Sequence, residues 1–167
     1  GSRVVLGETA QEIISLLHAY QATGDATLLH DATDILDALS PANNSLGLWD
    51  ATHLGYFKQV TFSGTSIQNP GTLLLDNTKK EAGRQGQMLE AVALANTVTN
   101  NHYAAMEAAI FAVVSGPAYY RQGHGVLYEA RPDWSLVANK GSATSYEDWV
   151  TTEAMGIAME GLFAVER

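Results

Sequence analysis

The chain has 167 residues, 46% of them hydrophobic and 16% charged, a composition that suits one globular domain with a real core. Eighteen acidic against nine basic residues leave a net charge of −9, so nucleic acid is repelled overall and is not an expected partner. No cysteine is present, which excludes disulfides, thiolate metal sites and cysteine nucleophiles, and no apolar run reaches the ~18 residues of a membrane span.

Gly1-Ser2 reads as a cloning scar and is set aside from fold reasoning. A first helix is predicted from Thr9 to Ala22, with Ile13, Leu16, Leu17 and Tyr20 on one face and Gly24 as its stop. Asp25 is placed to cap a second helix, Ala26 to Leu39, and two helices across so tight a break read as an antiparallel hairpin. Ser40 to Asn77 is long, rich in Gly, Asn, Ser and Pro, and without helical period. Its Tyr56 to Phe62 part leans to β structure, so a short hairpin is expected there.

A long rod follows from Thr78 to Thr99. Thr78 and Glu81 have capping-box spacing, and Met88, Ala91, Val92, Ala95 and Val98 recur at helical steps. Asn100-Asn101 breaks it, and another helix is predicted from His102 to Val114, ended by Gly116-Pro117. A second long loop runs to Ser145. The last rod, Glu147 to Glu166, is apolar on several sides and is therefore read as an inner helix.

These rods repeat. With Gln87 over Glu153, an offset of 66, Thr78 falls on Thr144 and Glu81 on Glu147. With Gln11 over Gln87, an offset of 76, Leu16 falls on Val92, Ala19 on Ala95 and Gly24 on Asn100. The unit is rod, tight turn, outer helix and long loop, copied so that each unit buries its face against the next.

Several stretches carry a family likeness: Trp49-Asp50 with Gly55-Tyr56-Phe57, the Gly83-Arg84-Gln85-Gly86-Gln87-Met88-Leu89 rod start, Gly125-Val126-Leu127-Tyr128-Glu129, and the rod Trp149 to Met155. In these the chain resembles the α/α-toroid, or six-hairpin, glycosidase superfamily, nearest to N-acylglucosamine 2-epimerase-like and α-1,6-mannanase-like proteins. The resemblance implies an all-α fold: a single domain over residues 1–167, an incomplete α/α toroid of antiparallel helical hairpins whose long loops carry short β-hairpins. It further implies inner helices around a funnel, with saccharide bound at the mouth between the long loops. The function expected from it is a carbohydrate-active domain, glycoside hydrolase-like or sugar epimerase-like. A full toroid is a longer chain, so this one reads as a C-terminal part or a shortened relative, completed by a missing N-terminal half or by a homodimer. The alternative is a non-catalytic interaction module whose inner helices pack against another domain or a second copy.

Sugar hydrolysis needs two carboxyl groups about a glycosidic bond, and epimerisation needs a proton carrier near neutral pH. Asp50, Glu81, Glu129, Asp148 and Glu153 are the acidic candidates. Glu81 also reads as a cap, Asp148 as a helix-dipole partner and Asp50 as a turn residue. Glu153, expected on a buried rod, is preferred, with an ion pair to Arg84 as its plain structural role. The expected catalytic set is Glu153, Asp50 and His53. The expected substrate-binding set is Trp49, Tyr56, Arg84, His124, Tyr128 and Trp134, although each aromatic also suits loop anchoring. No close pair of metal ligands occurs, and neither metal nor cofactor is expected. The compartment, secreted or cytoplasmic, is left open.

Overall fold

A computed structural model describes residues 2–117, 119–121, 125–126, 128–135 and 152–165. The chain begins with β1 (Ser2–Val5), α1 (Leu6–Thr23) and α2 (Ala26–Leu39). Then come β2 (Gln59–Phe62), β3 (Leu73–Asp76), β4 (Lys80–Glu81), α3 (Ala82–Val98) and α4 (Ala104–Val114). Three short strands, β5 (Tyr120–Arg121), β6 (Gly125–Val126) and β7 (Glu129–Ala130), precede α5 (Thr152–Val165). The protein is mostly helical with small antiparallel sheets: β1-β2-β3, β4-β7 and β5-β6. Among the described residues no helix is long and apolar enough to cross a membrane.

The hairpins form as their sequence directs. Gly24 closes α1 at φ 72°, and its N–H donates to Tyr20 O, while the Asp25 carboxylate accepts from Thr27 N at 2.9 Å. Asn100 and Asn101, at φ 54° and 61°, make the equivalent break between α3 and α4. Asparagine tolerates that left-handed turn where most residues do not. The outer helices are joined by Tyr103, whose hydroxyl donates to Asp37 Oδ1 at 3.0 Å.

The helix buried on nearly every side is α3, not α5. It lies between α1 and α5, with α4 across it. Its apolar face is Met88, Leu89, Ala91, Val92 and Ala95, but Gln85, Gln87 and Asn96 are buried too, and each has its partners. Close approach to α5 depends on glycine. A Cβ at Gly83 would stand 3.0 Å from Ala154 Cα, and one at Gly86 2.5 Å from Ala158 Cα. α5 buries only Ala154, Ala158 and Gly161, and leaves Met155, Met159 and Phe163 37%, 51% and 55% exposed. The reading of the last rod as apolar all round and therefore enclosed is corrected accordingly.

The hairpin expected from Tyr56 to Phe62 forms as β2 with β3, and β2 also takes β1 on its other edge. Two other expectations change. Ser2, set aside as a scar, pairs with Phe62. The capping box does not form: Thr78 Oγ1 donates to Asp76 Oδ1, and α3 starts at Ala82 behind Glu81, whose side chain caps nothing. β4 pairs with β7 there, and it holds the approach to α3 extended. The corresponding box at Thr144 and Glu147 lies outside the described residues, as do Asp148 and Trp149.

If glycine sets the spacing between α3 and α5, Gly86→Ala should lower stability in urea denaturation by ~1–3 kcal/mol through overpacking. Gly156→Ala, whose new methyl meets nothing within 4 Å, should raise it by up to ~1 kcal/mol. Equal effects of the two would show that the spacing is set elsewhere.

Candidate functional site

Strand β4 sorts the charged residues into two groups, because successive side chains of a strand point to opposite faces. Lys80 points inward and is wholly buried. Its ammonium donates to Asp50 Oδ2 at 2.9 Å, Leu54 O at 2.6 Å and Pro132 O at 2.8 Å, using all three N–H bonds. The Trp134 and Phe57 rings lie over it at 4.9 and 5.5 Å. Burial pulls this ammonium below the usual lysine range, and Asp50 and Asp133 oppose that shift. Burial alone would raise the Asp50 carboxyl, but Lys80 and the His53 and Thr52 N–H groups outweigh it and hold the acid below its usual range.

Around this pair the loop aromatics are used up. Trp49, Tyr56 and Trp134 are 7%, 0% and 6% exposed. Trp49 meets Tyr56 edge to face at 4.9 Å. The Tyr56 hydroxyl donates to Leu39 O, and the Gln85 amide both accepts from Tyr56 N and donates to Tyr56 O. Trp134 Nε1 donates to His53 O, and its ring sits 2.7 Å from where a Cβ on Gly55, at φ 93°, would stand. These three residues, expected in a substrate-binding set, are buried and anchor the loops. Asp50 is likewise enclosed by its lysine. His53 lies against it, Nδ1 to Oδ2 3.4 Å, with its side chain 46% exposed.

Glu81 points the other way, toward the N-terminal ends of α1 and α3. It is only 9% exposed and faces Lys58, Oε1 to Nζ 2.6 Å. Glu129 stands opposite Glu81 in the β4–β7 register. Two carboxylates so placed repel, and Lys58, 3.3 Å from Glu129, sits between them while Lys79 takes Glu129 at 2.9 Å. Burial lowers the Lys58 pKa, but Glu81 and Glu129 more than reverse this and keep it charged.

Glu81 and Lys58 line a cleft of about 490 Å³ together with Glu8, Gln11, Arg84 and Gln87. Gln87 Nε2 donates to Gln11 Oε1 at 3.0 Å, and Arg84 donates to Gln87 Oε1 and Glu153 Oε1 at 3.1 Å each. The three residues aligned by the repeat, Gln11, Gln87 and Glu153, are therefore joined in space through Arg84. Tyr128 and Glu153 line a separate, much smaller pocket on the α5 side, which shares Glu81 and Arg84 with this cleft. Glu153 is not the buried carboxylate expected: its side chain is 60% exposed. An ion pair so open contributes ~0–1 kcal/mol, so the glycine packing and not this pair fixes α5. His124 lies outside the described residues. Lys58 carried no sequence signal of a site, and Glu81 was masked by its cap spacing.

Helical hairpins with their inner helices side by side are the fold of α/α-toroid sugar epimerases and isomerases. The chain shares this fold over part of their length. A cellobiose 2-epimerase from Spirochaeta thermophila DSM 6192 superposes on 98% of this chain and 38% of its own, with a TM-score of 0.74 at 20% identity. A sugar epimerase from a ruminal bacterium matches with 0.72 at 15% identity over 98% and 39%, and a D-mannose isomerase with 0.61 at 16% over 96% and 37%. The chain thus spans about two fifths of these proteins. No family model matches the sequence, and no curated protein matches it either.

Loss of one partner from a buried pair leaves an uncompensated charge. Lys80→Met should therefore cost ~3–5 kcal/mol in urea denaturation. The contribution of Asp50 is full above its ordinary pKa of 3.8 and is lost as pH falls through its lower folded value. Acid melts should show wild type losing stability below that point and Asp50→Asn losing less.

Proposed function

We propose that this chain is part of a sugar epimerase- or isomerase-like protein, an incomplete toroid that holds saccharide in the cleft at the N-terminal ends of α1 and α3. The observation that carries this reading is the cleft itself. Glu81, Lys58, Arg84, Gln87 and Gln11 converge there from α1, α3, strand β4 and one loop, and Glu153 of α5 is paired to Arg84 beside it. Amide and guanidinium N–H groups beside carboxylate oxygens match a polyol, whose every hydroxyl both donates and accepts.

In this reading Arg84 binds substrate together with Lys58, Gln11 and Gln87, while Glu153, on the surface, holds Arg84 in place. The neighbouring folds act on sugars by name as epimerases and isomerases, which favours proton transfer at carbon over hydrolysis for the whole protein. Glu81 is the buried carboxylate of the cleft and the side chain best placed to carry a proton there, with Lys58 to balance its charge.

Titration calorimetry with cellobiose and with D-mannose should show saturable binding. Arg84→Ala or Gln87→Leu should weaken it about 10- to 100-fold, the loss of a hydrogen bond to or from a charged group. Binding that neither substitution weakens, or no binding of either sugar, would remove the cleft from consideration.

A further inference from the structure

Gly7 has no conformational reason to be glycine. It is the second residue of α1, and its φ lies outside the left-handed region. Alanine adopts such a backbone freely, and glycine weakens a helix relative to alanine. What glycine supplies at this position is room. A Cβ there would stand 2.6 Å from Arg84 Cδ, 2.8 Å from Nε and 3.2 Å from Cγ. These are the three nearest atoms, and all belong to one side chain. Gly83, the repeat counterpart at an offset of 76, meets backbone instead, with Ala154 Cα 3.0 Å from its Cβ position. The same position in two units thus has two uses: Gly83 brings helices together, and Gly7 accommodates an arginine.

That arginine spans three helices. It starts on α3, lies across Gly7 of α1 and ends at α5, where it donates to Glu153 Oε1 at 3.1 Å. A second N–H goes to Gln87 Oε1, also at 3.1 Å. Two of the five guanidinium N–H groups are taken in this way. Gly7, Arg84 and Gln87 all line the 490 Å³ cleft. Ordering a long side chain on binding costs affinity, and a side chain ordered beforehand avoids that cost.

We propose that Gly7 is a positioning residue of the cleft: the slot left by its missing side chain fixes where the Arg84 guanidinium meets the saccharide. This rests on the reading of the cleft as a sugar site. A methyl group at position 7 lifts the arginine stem off α1 and carries its head away from Gln87 and Glu153. The side chain yields and the backbone does not, because the Arg84–Glu153 pair is open to solvent and holds weakly. Gly7 touches no reacting atom in this scheme and acts only through Arg84.

A double-variant cycle separates that role from a general one. Gly7→Ala should weaken cellobiose or D-mannose binding about 10- to 100-fold, as Arg84→Ala does, with the far-ultraviolet circular dichroism spectrum unchanged. In an Arg84→Ala background the same change should alter affinity by no more than about twofold. A second readout needs no sugar. The Arg84 Nε–H resonance, assigned by its loss in Arg84→Ala, should move in Gly7→Ala and in Glu153→Gln but not in Gly156→Ala, whose methyl meets nothing within 4 Å. A resonance that Gly7→Ala leaves in place overturns the proposal, as do losses of affinity that multiply in the double variant. If Gly7→Ala does not fold, the double variant decides: restored folding identifies Arg84 as the group displaced, and folding still lost makes Gly7 a packing residue and overturns the proposal. Absence of sugar binding by wild type refutes the reading of the cleft, and the resonance still tests the slot.

Discussion

A helix with neighbours on several sides can bury only what fits between backbones, and α3 is such a helix. Glycine at 83 and 86 lets α5 lie against it, and Met88, Leu89, Val92 and several alanines fill the rest of its buried circumference. Its buried amides are all occupied by chain: Gln85 holds the Tyr56 backbone, Gln87 reaches Gln11, and Asn96 accepts from Tyr103 N and donates to Glu107. A buried amide costs free energy unless it is bonded, so these contacts set where the loop at Tyr56 and the turn at Tyr103 must stand. The position of every other inner element follows from this one helix.

Two residues of β4 then divide the charges. Lys80 gathers the loops at Asp50, Leu54 and Pro132 into the interior, and its neighbour Glu81 faces the cleft. The alternation of a strand makes the division, and it makes a rigid support for the mouth. Behind β4 stand a buried ion pair and buried aromatic rings. A ligand site is best placed on such a base, since its groups need fixed positions to be selective.

Much of the helical layout was legible in the sequence. The second helix has the predicted bounds, the stops at Gly24 and Asn100 have the same left-handed backbone, and of the aligned residues Gln11 meets Gln87 while Arg84 bridges Gln87 to Glu153. The candidate site was much less legible. Glu81 has cap spacing, and nothing local to it says that a strand pair with Glu129 will pull it out of that role. Trp49, Tyr56 and Trp134 are the residue types a sugar site would use, but burial and hydrogen bonding decide their role, and both come from distant segments.

The period of apolar residues, the left-handed turn positions and the copied unit are short-range properties, fixed by φ, ψ and side-chain size within a few residues. The sequence alone therefore determined the hairpins and their order. Lys80 lies 30 residues from Asp50 and 52 from Pro132, and Lys58 lies 71 from Glu129. Which charge is buried and which opens to the cleft is set by pairings of that range, and only the tertiary structure decided them, because a carboxylate's surroundings belong to the packed chain and not to its neighbours in sequence.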